Sequence, residues 1–188
     1  MIRFRKYLQE NFDFSNREFE DISEFAEPAM LKKQEYFLKK GKVCHKLAFI
    51  ESGVLRFCMD RDGEDITCYF VYENCFAGDP DSFFTHQPSD KTMQALTDCE
   101  LINISRTGLE RILNVCPRFK DIMTGIDRKV MMDLMTQREF LIQSDAATKY
   151  KKFIELYPHI LQRVPLGYIA SFLGITQQSL SRLRNQIS

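Results

Sequence analysis

The chain has 188 residues, 44% hydrophobic and 28% charged, with 16 Phe, 8 Gly and 6 Pro. This composition excludes disordered and collagen-like chains, and the length allows burial of about 70% of the unfolded surface without staples. The 26 basic and 26 acidic side chains cancel, yet residues 145–188 carry six basic against two acidic residues, a local +4 that leaves −4 elsewhere and suits a phosphate backbone.

No run reaches the roughly 18 apolar residues of a membrane span, and Met1-Ile2-Arg3-Phe4-Arg5-Lys6 opens no apolar signal core, so a cytoplasmic protein with no membrane partner is expected. Ser15 and Glu18 form a capping box, and Phe19, Ile22, Phe25 and Ala26 recur at helical spacing until Pro28. From residue 34 the period changes to that of strands, predicted at 36–38, 47–50, 55–59, 66–72, 92–96 and 100–104. Gly41, Ser52-Gly53, Asp60 to Gly63 and the polar stretch 85–91 punctuate them at the spacing of an antiparallel sandwich or barrel.

Ser105 is a cap for a short helix that ends at Pro117. A long helix follows over 118–143, striped by Met123, Ile126, Val130 and Leu134. That stripe predicts a homodimer interface, with packing against the β domain as the other choice. Three helices fill 144–188: one from about Asp145 to Leu156, one from Val164-Pro165 to Gly174, and one capped by Thr176 with Leu180, Leu183 and Ile187 inward.

Ala170, Gly174, Leu180 and Leu183 have the spacing of a helix-turn-helix, in which a small residue permits close approach, a glycine turns the chain, and two leucines seat the second helix. At 100° per residue the opposite face of that helix holds Gln178, Ser181, Arg182 and Asn185. These are side chains that pair with base edges in a major groove. Thr176, Ser179 and Arg184 flank them and suit phosphates. The six cysteines are never closer than seven positions, so buried free thiols are expected rather than disulfides or a zinc site.

The order of parts resembles the Crp/Fnr superfamily of bacterial transcription regulators. The residues that carry the resemblance are Glu51-Ser52-Gly53-Val54-Leu55-Arg56, the hairpin Asp60 to Gly63, Cys75-Phe76-Ala77-Gly78-Asp79, and the run from Val164 to Thr176. The resemblance implies an α+β chain: an antiparallel, jelly-roll-like β-roll sensor at 1–117, a coupling and dimerisation helix at 118–143 and a small all-α helix-turn-helix at 144–188. It also implies a homodimer on a palindromic double-stranded DNA operator, with RNA polymerase and an unidentified small-molecule effector as further candidate partners. Arg182 matches the guanine-reading arginine of many members, and Gln177 and Gln178 match positions that touch bases or phosphates.

In cyclic-nucleotide sensors of the family a Gly-Glu pair meets the ribose and a following arginine clamps the phosphate. Here Gly78 and Asp79 stand at the pair, no arginine lies between Asp62 and Leu101, and Lys91 is the one basic side chain near. Lys91 lacks the bidentate fork, so weak or absent cyclic AMP binding is expected. No cysteine precedes Cys44, and no iron-sulfur cluster is expected. No other cofactor or metal is expected either. The alternative from another class is a ligand-binding or cupin-like β-roll enzyme whose C-terminal helices only pack. His45, His86 and His159 are scattered and form no HxH set, and no nucleophile elbow or P-loop occurs, so no enzymatic activity is expected.

Overall fold

The computed structural model describes every residue except Ser144 and Ser188, and the side chains of Gln143 and Ile187 also lie outside the described set. The boundary expected at 143/144 and the inward contact expected of Ile187 therefore fall outside the described residues. The chain opens with α1 (Ile2–Phe12), which buries Phe4, Tyr7 and Leu8. The expected capped helix is next, α2 (Asn16–Ser23), with both halves of the Ser15/Glu18 box present. The strands are β1 (Glu27–Leu31), β2 (Tyr36–Leu38), β3 (Lys46–Ser52), β4 (Leu55–Arg61), β5 (Glu64–Val71) and β6 (Phe76–Ala77), then β7 (Thr92–Ala95) and β8 (Cys99–Ser105) after the short helix α3 (Pro80–Thr85). All observed strand pairs are antiparallel.

They form two four-stranded sheets, β1-β8-β3-β6 and β2-β7-β4-β5. This is the β-roll read from the sequence. Pro28, expected only to stop a helix, lies within β1 at the edge of its sheet, where a residue without an N–H is tolerated. Gly53 turns β3 into β4 at φ +108, and a Cβ there would lie 2.5 Å from Cys99 Sγ. Only glycine fits both demands.

Ser105 caps α4 (Arg106–Val115) through the Gly108 N–H at 3.0 Å, and α5 (Phe119–Gln143) runs on for 25 residues. Then come α6 (Ala146–Leu156), α7 (Leu166–Leu173) and α8 (Gln177–Ile187). Two apolar cores result. The first fills the β-roll and draws in α1, α2, α4 and the start of α5. The second is centred on α6, α7 and Leu180, but it also contains Val54, Phe70 and Leu96 of the sheet region.

Candidate nucleic-acid interface and effector pocket

The turn between α7 and α8 is built as its residue types dictate. Gly174 takes a left-handed φ of +66 and its N–H bonds the last carbonyls of α7, while the Ile175 N–H reaches the Ala170 carbonyl at 3.0 Å. Thr176 Oγ1 accepts the Ser179 N–H at 3.1 Å and donates to Ser179 Oγ at 2.9 Å. Both hydroxyls expected to flank a DNA backbone are thus engaged in capping α8. Leu180 is fully buried and Leu183 half-buried, whereas Gln177, Gln178, Ser181, Arg182, Arg184 and Asn185 are exposed. No Asp or Glu follows Glu155, while Arg163, Arg182 and Arg184 do. The exposed side of α8 is therefore polar and free of acid.

This helical unit is fastened to the β-roll by four independent features. Phe172 packs on Phe70 with ring centroids 5.5 Å apart. Ser171 Oγ accepts the Thr67 N–H at 3.0 Å. Arg56, only 4% exposed, bonds Gln94 at 2.9 and 3.1 Å, pairs with Asp65, and lies 4.0 Å over the Tyr168 ring. Finally, Arg163 forms a two-pronged bond to Glu73 at 2.8 and 2.9 Å, and Glu73 also accepts the Gly53 N–H at 2.7 Å.

Burial alone would raise the Glu73 carboxyl above its ordinary 4.5, but the Arg163 and Gly53 donors outweigh it and bring it down to about 2. A folded-state value below the unfolded one stabilises above about pH 4.5, and that contribution is lost as pH falls toward 2. Glu73→Gln is accordingly expected to flatten this part of the acid-unfolding profile followed by circular dichroism. An unchanged profile would show that the pair does not hold the helical unit.

The three residues expected at an effector pocket do not line one together. Asp79 is 3% exposed, accepts the Ser89 hydroxyl at 2.6 Å and lies 3.6 Å from Lys91 Nζ. Acid and base satisfy each other. Gly78 alone lines the cavity of about 280 Å³ that separates β5 and β6 from α5. Its walls include Val71, Phe76, Val130, Leu134 and Tyr157; its charged lining residues are Asp127 and Asp133, and no Lys or Arg is among the described residues around it. Burial raises Tyr72 there to about 12 and pushes Tyr157 up as well, which marks an environment hostile to anions. Tyr157 and Gln137, hydrogen-bonded to each other, are pocket residues that the sequence reading missed.

The α5 stripe divides. All four residues line the cavity, but Met123 and Ile126 are half-buried against the core of their own β-roll, whereas Val130 and Leu134 are 42% and 40% exposed. Met131, Met132 and Met135 are 55–60% exposed and extend the apolar surface outward. Cys44, Cys58, Cys99 and Cys116 are buried free thiols, while Cys68 and Cys75 are half-buried. Burial holds Cys58 at about 12. The three histidines are exposed. Among the described residues no group of three or more His, Cys, Asp or Glu could hold a metal, and no helix is long and apolar enough to cross a membrane.

Residues 29–115 match the family model of the cyclic nucleotide-binding domain. No curated protein sequence matches the chain. Among solved structures, the c-di-GMP-responsive global regulator CLP of Xanthomonas campestris superposes with a TM-score of 0.73 at 14% identity, covering 92% of this chain and 91% of that one. FixK2 of Bradyrhizobium japonicum gives 0.70 at 14%, covering 86% and 84%. A protein of Eubacterium rectale, described as a transcriptional regulator of the crp/fnr family, gives 0.71 at 18%, covering 96% and 87%. Residues 29–115 are thus similar to the cyclic nucleotide-binding domain, and the chain as a whole has the fold of these Crp/Fnr-type structures. The resemblance read from the motifs is borne out in that fold.

Proposed function

We propose that the chain is a homodimeric, sequence-specific DNA-binding transcription regulator of the cytoplasm, with the β-roll as sensor and α8 as reader. The observation that carries this is the exposed side of α8: Gln178, Ser181, Arg182 and Asn185 stand opposite a buried Leu180, with no acid in α7 or α8. Such a face can enter a major groove and pair with base edges. The test is selection of a bound site from random duplex DNA followed by titration. Enrichment of a palindrome supports the reading, and binding without sequence preference overturns it.

The dimer surface we assign to Val130 and Leu134, which continue the stripe of Met123 and Ile126, together with the exposed Met131 and Met135 on the adjoining side of the helix. Met135→Glu should shift the sedimentation of a micromolar sample from dimer to monomer and weaken DNA binding with it. Equal mass for variant and parent would remove the assignment.

For the effector, the α5 cavity favours an uncharged, largely apolar molecule. A cyclic nucleotide, or the c-di-GMP to which the Xanthomonas regulator responds, would bring phosphates beside Asp127 and Asp133 with no basic residue among the described lining. Calorimetry with cyclic AMP is expected to show no binding at micromolar concentration. Micromolar affinity abolished by Lys91→Ala would show that the Asp79–Lys91 pair opens to hold a phosphate.

A further inference from the structure

The wall of the α5 cavity is drawn from three parts of the chain. β5 and β6 supply Tyr69 and Phe76, α5 supplies Val130 and Asp133, and the C-terminal helical unit supplies Leu156 and Tyr157. The three parts meet at Tyr157. It is 8% exposed, its ring stands edge-on to that of Tyr72 with centroids 6.2 Å apart, and its hydroxyl accepts the Gln137 amide N–H of α5. A molecule in this cavity therefore touches the β-roll and the helical unit at once. Arg163 and Glu73, by contrast, pair the helical unit with the β-roll without lining the cavity.

We propose that the α5 cavity takes a flat, uncharged aromatic molecule with a ring N–H or O–H, wedged between the sheet and the helical unit so that only their docked arrangement holds it. The aromatic walls offer faces and edges for a ring to pack against, and about 280 Å³, at the lower end of ligand pockets, suits two fused rings and not a dinucleotide. The exposed carboxylates Asp127 and Asp133 lie in the lining. They accept a donor in a charge-assisted bond and repel an anion. Because binding and docking favour each other, a change that loosens the helical unit weakens the ligand, and the ligand tightens the unit by the same factor. This rests on the reading of the α5 cavity as the effector site, and not on α8 as a DNA reader.

The chain contains no Trp, so the fluorescence of an indole probe can be read without a protein background. Three probes are titrated into the full chain: indole, 1-methylindole without the donor, and indole-3-carboxylate with a negative charge. Indole should saturate with a Kd of about 0.1 mM, 1-methylindole should bind about tenfold more weakly, and the carboxylate should not bind. Asp133→Asn, an exposed change, should narrow the lead of indole over 1-methylindole. Arg163→Gln, outside the cavity, should weaken indole severalfold, and bound indole should slow amide hydrogen exchange in α6 and α7 as well as in β5. No saturation by indole at about 5 mM overturns the proposal together with the effector reading of the cavity. Indole affinity unchanged by Arg163→Gln, with protection confined to the β-roll, overturns the docking and leaves that reading standing. Binding of 1-methylindole or the carboxylate as tight as that of indole overturns the ligand class.

Discussion

Phe172→Ala is expected to lower the free energy of unfolding by about 3–5 kcal/mol, the range for truncating a large buried ring. The ring is 5% exposed and stands between the two parts of the molecule, with centroids 5.5 Å from Phe70 in the sheet, 5.6 Å from Phe153 in α6 and 6.3 Å from Phe140 in α5. Its removal empties a space walled by three different elements, none of which can close it alone. Urea denaturation followed by circular dichroism measures the loss. Two separate transitions are also expected, since the loosened helical unit can then melt before the β-roll. A loss below about 1 kcal/mol with a single transition would mean that Phe172 does not hold the two parts together.

Arg182→Ala should leave that stability unchanged and act on DNA instead. The side chain is exposed on the side of α8 away from Leu180, and a guanidinium there can donate two bonds to guanine O6 and N7. Its loss should cost about 1–3 kcal/mol at the selected site, or about 5- to 150-fold in affinity, and relax preference at one base-pair position. Arg184→Ala provides the contrast. It should weaken all sequences alike and make the salt dependence shallower, as expected when a phosphate contact is lost. Titration of both variants at two salt concentrations distinguishes the roles. If Arg182→Ala binds the selected site as tightly as the parent, α8 is not the reader.

The local signals were legible in the sequence because they are local chemistry: Ser15 with Glu18, Ser105 and Thr176 cap their helices from within four residues. The α1 helix was not legible for the opposite reason. Its N-terminal donors are satisfied by Glu51, which accepts the Phe4 N–H at 2.8 Å and the Arg3 N–H at 3.1 Å from the end of β3. A cap that lies 47 positions away leaves no mark beside the helix it starts. β1 was hidden by Pro28, which reads as a breaker until the strand is known to lie at an edge.

In the candidate site, the exposed polar face of α8 followed from helical periodicity alone, since Leu180 fixes which side is inward. The pocket did not. Gly78, Asp79 and Lys91 are near one another, as sequence suggested, but whether Asp79 faces a ligand or Ser89 is decided by tertiary packing. The split of the α5 stripe has the same origin. A helical repeat names the apolar side but not the surface that covers it, and here the β-roll takes Met123 and Ile126 first.

The sharing of Val54, Phe70 and Leu96 between the sheets and the C-terminal core bears on how such chains diverge. A helical unit that carries its own sealed interior can be exchanged between proteins like a cassette. This one cannot, because a transplanted α6–α8 would arrive without the three residues that complete it, and the β-roll left behind would show them to water. Substitutions at Phe70 and Phe172, or at Glu73 and Arg163, must therefore be accepted in pairs. Across related chains these positions should vary together, although each pair joins residues about a hundred positions apart in the sequence.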